Sequence, residues 1–176
     1  MHVALGLVTC LGLVLAQDEK KKDAPKEPSK EVKELLAKLD GKWVLTRVES
    51  SMGKQDIPQG VGGATFDKEK YTFTMGRMTE KGTMTFRPGK KPKELDVKIT
   101  EGNDADKTQY GVYELEGDTF KMCVAMAGEP ESSRPKAVAF KEESQETLFV
   151  FKRAKKEESP KKDEKKKDEP KKDSLS

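Results

Sequence analysis

Apolar side chains enter this sequence in two rhythms, and the change falls at Leu39-Asp40-Gly41-Lys42-Trp43. Before it, Val32, Leu35, Leu36 and Leu39 recur at i, i+3, i+4 and i+7, which puts them on one face of a short helix. Ser29, after Pro28, offers a side-chain oxygen to the helix's first free N–H groups, and Asp40-Gly41 stops it. Beyond Gly41 the period is two, in short runs separated by turn residues. Eight principal strands are predicted: Lys42–Ser50, Gly62–Asp67, Lys70–Met75, Met78–Phe86, Glu94–Thr100, Gln109–Glu116, Thr119–Val124 and Thr147–Arg153.

The connections sharpen that pattern into a topology. A turn is expected around Met52-Gly53-Lys54, tight ones at Lys68-Glu69 and Gly117-Asp118, and a polar loop at Glu101–Lys107. Gly117 comes first in its pair, as a type II′ hairpin turn requires. A long loop containing "GEPESSRP" and a short extended piece, Ala137–Phe140, precede the last strand. No stretch is long enough for a helical crossover between parallel strands. The prediction is therefore an all-β, eight-stranded antiparallel up-and-down barrel with one short N-terminal helix plugging or flanking it. An open bent sheet or a two-sheet sandwich is the alternative.

Composition limits how much of the chain this domain occupies. Of 176 residues, 38% are charged and only 6% aromatic, and the charge is concentrated at the two ends. Residues 1–16, "MHVALGLVTCLGLVLA", form an apolar run without acids, too short to span a bilayer and ending in the small residue a signal peptidase reads. A cleaved signal peptide is predicted, with an uncleaved anchor as the alternative. Residues 17–29 read as a disordered linker, 30–153 as the folded domain, and 154–176 as a disordered low-complexity tail of lysine, acid and proline. From Lys152 onward, 11 basic residues face 7 acidic ones, so the tail carries most of the net charge. Weak contact with an anionic envelope surface is conceivable for such a tail. Interspersed acids and missing aromatics argue for a solvated spacer and against specific nucleic-acid binding.

Cleavage after Ala16 would remove His2 and Cys10, leaving no histidine and one cysteine, Cys123. Histidine-dependent acid–base, nucleophilic and metal chemistry then has no residue to use, and no internal disulfide can form. Cys123, between Met122 and Val124, reads as a small buried hydrophobe. Glu101, Asn103, Asp104 and Asp106 share a loop, but a calcium loop counted from Asp104 needs glycine where Gln109 stands. Neither a metal nor another cofactor is expected, and no enzyme.

The segments "LDGKWVLTRVESSMGKQDIP" and "SSRPKAVAF…TLFVFKR", with Tyr113-Glu114-Leu115-Glu116-Gly117-Asp118-Thr119-Phe120-Lys121-Met122-Cys123, resemble a family of secreted lipocalin-like domains of uncharacterised function, expanded in planctomycete bacteria. Gly41-Lys42-Trp43 is similar to the lipocalin Gly-x-Trp signature. The resemblance covers about Lys38 to Arg153, and it departs at Glu142–Glu146, where a glycine-rich turn would be expected. It implies that Trp43 lies at the closed end of the barrel. Strand alternation makes Arg47 an unlikely cap on that ring and favours an arginine from another strand, such as Arg153, for a cation–π contact. Gly41, Gly117, Asp118 and Cys123 read as structural as well.

Met75, Met78, Met84 and Met122, with Tyr71, Phe73, Phe86, Tyr110 and Phe120, are candidates for the inward surface. Tyr71, Phe73, Met84, Phe86, Tyr110, Phe120 and Met122 are the candidate ligand contacts. The expected function is a non-enzymatic binding module, exported to the periplasm or exterior as a monomer, that takes a small apolar molecule or a peptide. The alternative is an interaction domain with a filled core, whose outer face or tail meets envelope components. A carrier requires a cavity of roughly a few hundred Å³.

Overall fold

Ser29 caps a helix, α1, over Lys30–Leu39, its hydroxyl accepting from the Val32 N–H at 3.4 Å. The N–H of Asp40 closes the last turn on the Leu36 carbonyl at 2.9 Å. Leu36 and Leu39 are buried, with Val32 and Leu35 packed partly against the same core, so the predicted apolar face is the one the helix buries. The computed structural model describes residues 28–155. The predicted signal peptide, nearly all of the linker and the tail beyond Lys155 lie outside the described residues.

Nine strands follow: β1 Gly41–Ser50, β2 Gly53–Asp56, β3 Gly62–Asp67, β4 Lys70–Met75, β5 Met78–Arg87, β6 Glu94–Glu101, β7 Thr108–Glu116, β8 Thr119–Val124 and β9 Thr147–Arg153. Each is antiparallel to its neighbour, and β9 pairs back onto β1, with Trp43 opposite Arg153 and Leu45 opposite Phe151. That pairing closes an eight-stranded up-and-down barrel from β1 and β3–β9, and excludes the open sheet and the sandwich. All eight predicted strands are present.

The ninth strand is a difference. β2 is a polar four-residue run, exposed throughout, that pairs with the far half of β1 where a turn alone was expected. On the opposite edge of β1, the ladder with β9 has a register shift between Leu45 and Arg47. Before it, β1 pairs with β3 at Gly41–Val44; beyond it, with β2 at Arg47–Ser50. Thr46 sits at the bulge, its hydroxyl donating to the Val150 carbonyl at 3.0 Å and its own carbonyl accepting from Ile57 at 2.9 Å. Ala137–Phe140, predicted as extended, forms bends and joins no sheet.

Turn chemistry matches backbone geometry at the β7–β8 hairpin. Glu116 pairs with Thr119, leaving two loop residues, and Gly117 has φ +53 while Asp118 stays outside the left-handed region, the sign pattern of a type II′ turn. Residues pointing inward form one continuous core from Leu36 to Phe151. A smaller cluster of Val112, Cys123 and Leu148 lies on the outer wall beneath Val138 and Phe140.

Candidate functional site

One pole of the barrel is sealed by side chains. Trp43 is 2% exposed, and its indole N–H donates to the Leu39 carbonyl at 2.7 Å, joining the end of α1 to the start of β1. The Arg153 guanidinium lies 4.3 Å from the centre of the indole ring, as anticipated for an arginine from another strand. It also donates to Asp118 in the β7–β8 turn at 3.0 Å, to the Asp40 carbonyl at 3.1 Å and to the Lys38 carbonyl. A cation at the last carbonyls of a helix complements the negative end of its dipole. Phe120 meets the Trp43 and Phe66 rings edge-on at 6.1 and 5.7 Å, and Phe86 meets Tyr113 at 5.2 Å.

The other half of the interior keeps a small unfilled space. A cavity of about 110 Å³ is walled by Ala64, Phe66, Phe73, Val97, Phe149 and Phe151, with the thioethers of Met84 and Met122 beside them. Met78, Glu80 and Gln109 complete it from the beginnings of β5 and β7, so the opening faces away from Trp43. The volume falls short of the roughly 300 Å³ at which drug-sized ligand pockets begin, and approaches a cavity of about 150 Å³ known to hold benzene. It suits one ring or a short tail.

Polar chemistry at the cavity is confined to three residues. Tyr71, 4% exposed, donates its hydroxyl to Glu80 Oε1 at 2.8 Å. Burial raises the Glu80 carboxyl above its usual range; the Tyr71 hydrogen bond partly offsets this, and the nearby Asp104 charge adds to it. The Tyr71 hydroxyl is likewise raised, by burial first and then by its bond to Glu80. Gln109 donates through Nε2 to the Ala125 carbonyl at 3.4 Å.

Of the seven predicted contacts, Tyr71, Phe73, Met84 and Met122 line the cavity. Phe86 and Phe120 are buried in the core around the sealed pole and do not line it. Tyr110 is a correction: it lies on the outer wall opposite Asp96, with the Arg134 guanidinium 5.2 Å above its ring. Met75 is corrected as well, being 37% exposed, whereas Met78 reaches the cavity's edge. Ala64, Phe66, Glu80, Val97, Gln109, Phe149 and Phe151 were not among the candidates. Counting back by twos from Phe86 through Met84 and Gly82 arrives at Glu80 and Met78, and that alternation was the available signal.

Outside the barrel, Arg134 ties the long loop to the wall. It donates to the Leu95 and Gly111 carbonyls at 2.8 and 2.9 Å and to Asp96 at 2.7 Å, while Arg87 grips the same carboxylate. Burial alone would raise Asp96, but the hydrogen bonds from Arg87 and Arg134 prevail and hold it below the usual carboxylate range. Cys123 faces this outer side, its thiol 3.7 Å from the Ala139 carbonyl and pushed up to about 12, chiefly by burial. A thiol that stays protonated is a packing group, not a nucleophile.

In the polar loop after β6, Lys107 pairs with Asp104 at 2.7 Å, and among the described residues no group of three or more histidines, cysteines or acids is placed to hold a metal ion. No helix among the described residues is long and apolar enough to cross a membrane. No protein-family model, curated protein or solved structure matches the chain.

Proposed function

We propose that this chain is an exported, non-enzymatic, lipocalin-like binding module whose barrel accepts one small apolar group through the mouth opposite Trp43. The observation that carries the reading is the cavity itself, with aromatic and thioether walls and a few polar groups at the edge away from Trp43. Flexible methionines suit such a surface because they repack around different shapes. The volume narrows the carrier idea from a drug-sized molecule to a ring or chain end. Residues 1–16 support export by their pattern.

A second reading is favoured by the same volume. A barrel this nearly filled also serves as a rigid interaction domain, contacting envelope components by its outer face or basic tail. Titration with benzyl alcohol, followed through the 13C-methyl signals of Met84 and Met122, separates the two. The binding reading expects saturable shifts at both methionines, lost in Ala64→Leu, which fills the cavity. Unmoved methionine signals at millimolar probe would overturn it in favour of the filled domain.

A further inference from the structure

The cavity borders a carboxylate that lacks a matching cation. The Tyr71 hydroxyl proton is committed to Glu80 Oε1 at 2.8 Å, and Gln109 uses one amide hydrogen on the Ala125 carbonyl at 3.4 Å. Among the described residues no donor bonds the second carboxylate oxygen of Glu80, and the Gln109 amide keeps an acceptor oxygen and one further N–H. Glu80 is the one formally charged residue lining the cavity, and among the described residues no cation pairs with it. The basic side chains of adjoining segments are engaged elsewhere, Lys81 with Glu101 and Lys107 with Asp104, each at 2.7 Å. The cavity that Glu80 borders is also lined by the rings of Tyr71, Phe73, Phe149 and Phe151, and aromatic faces attract positive charge.

We infer that the occupant of this pocket is a small organic ammonium ion with a compact apolar body, its charged nitrogen held by Glu80 and Gln109 and its body among the phenylalanines. The inference rests on the proposed binding function. An ammonium group supplies donors to the Glu80 and Gln109 oxygens and a counter-charge that no described residue gives Glu80. A neutral ligand of the same shape would leave a part-buried carboxylate without a counter-charge, and a carboxylate ligand would face repulsion from it. Burial already disfavours the charged form of Glu80, and a cation offsets that cost in a way no apolar guest can.

Benzylamine, protonated at neutral pH, and benzyl alcohol share a ring and differ in the headgroup, so the pair isolates the charge. Each is titrated into the full chain at pH 7 and read through the Met84 and Met122 methyl signals. The expected result is at least roughly tenfold tighter binding of the amine, the size of one charge-assisted hydrogen bond. In Glu80→Gln, which keeps an acceptor for Tyr71, the amine should lose its advantage over the alcohol. Glu80→Asp, which retains the charge, should keep part of the preference. Equal affinities in the unaltered chain would overturn the ammonium assignment and leave the apolar pocket standing. An amine preference that survives Glu80→Gln would overturn the assignment to Glu80. Binding of neither probe would overturn the pocket reading itself.

Discussion

Cys123 sits on the barrel wall with its thiol turned away from the interior, covered by Val138 and Phe140. Burial, with a smaller contribution from the Glu146 carboxylate, raises that thiol to about 12. In the unfolded chain it titrates near 8.5–9. Between those values the unfolded chain has lost the proton and the folded chain retains it, so this residue's contribution to stability is complete below about pH 9 and is lost as pH climbs toward 12. Tyr113, raised to about 12 by burial, acts in the same direction from about pH 10 upward. The prediction concerns urea unfolding measured at a series of pH values. Cys123→Ala should be less stable at pH 7 by about 1–2 kcal/mol, from lost packing. The gap between it and the parent should narrow from pH 9 to 11. A constant gap over that range would mean that the thiol titrates normally in the folded protein.

At the scale of elements, β5 shows how closely strands approach where a side chain is missing. A Cβ on Gly82 would lie 2.1 Å from the Lys98 carbonyl oxygen and 2.8 Å from the Tyr71 ring. Gly82 also stands at the register shift between β5 and β6. Gly82→Ala should therefore cost about 3 kcal/mol in chemical denaturation, since the contacting atom is backbone that cannot swing aside. A cost under about 1 kcal/mol would show that the bulge absorbs the methyl group. Most strands were legible because alternation and turn residues are local signals, and both are strong from Gly62 to Phe86 and from Leu95 to Ile99. β2 was not, because Gly53-Lys54-Gln55-Asp56 buries nothing and so shows no apolar alternation. β7 misled for a related reason. Its first inward positions hold Gln109 and Gly111, so the outward Tyr110 and Val112 look like the core face. Of the twelve residues lining the cavity, five, Tyr71, Phe73, Met78, Met84 and Met122, were readable from aromatic and methionine positions. Its polar edge was hidden because Glu80 in "MTEKGTM" looks like solvent-facing sequence until the period is carried back from Met84.

For the whole molecule, the two poles divide the work. The Trp43 pole is held by α1, Arg153 and Asp118, while the opposite pole opens onto the cavity. Residues 156–176 contain one apolar side chain, Leu175, apart from two prolines, which is too little to add to the core. Removing them should move the thermal midpoint by less than about 2 °C. A larger fall in a melting curve would make the tail part of the barrel's packing. The closing pair of strands has a mechanical consequence. β1 begins and β9 ends at the same pole, side by side and antiparallel. Tension applied to the two ends of the domain therefore pulls the β1–β9 ladder apart one residue pair at a time, as a zipper opens, and never loads all its hydrogen bonds together in shear. At the outer end of that seam Arg153 is bonded to the Lys38 and Asp40 carbonyls, and the Ala154 N–H to the Lys42 carbonyl. The residue that covers the tryptophan is thus also one of the latches that must give before the barrel unzips.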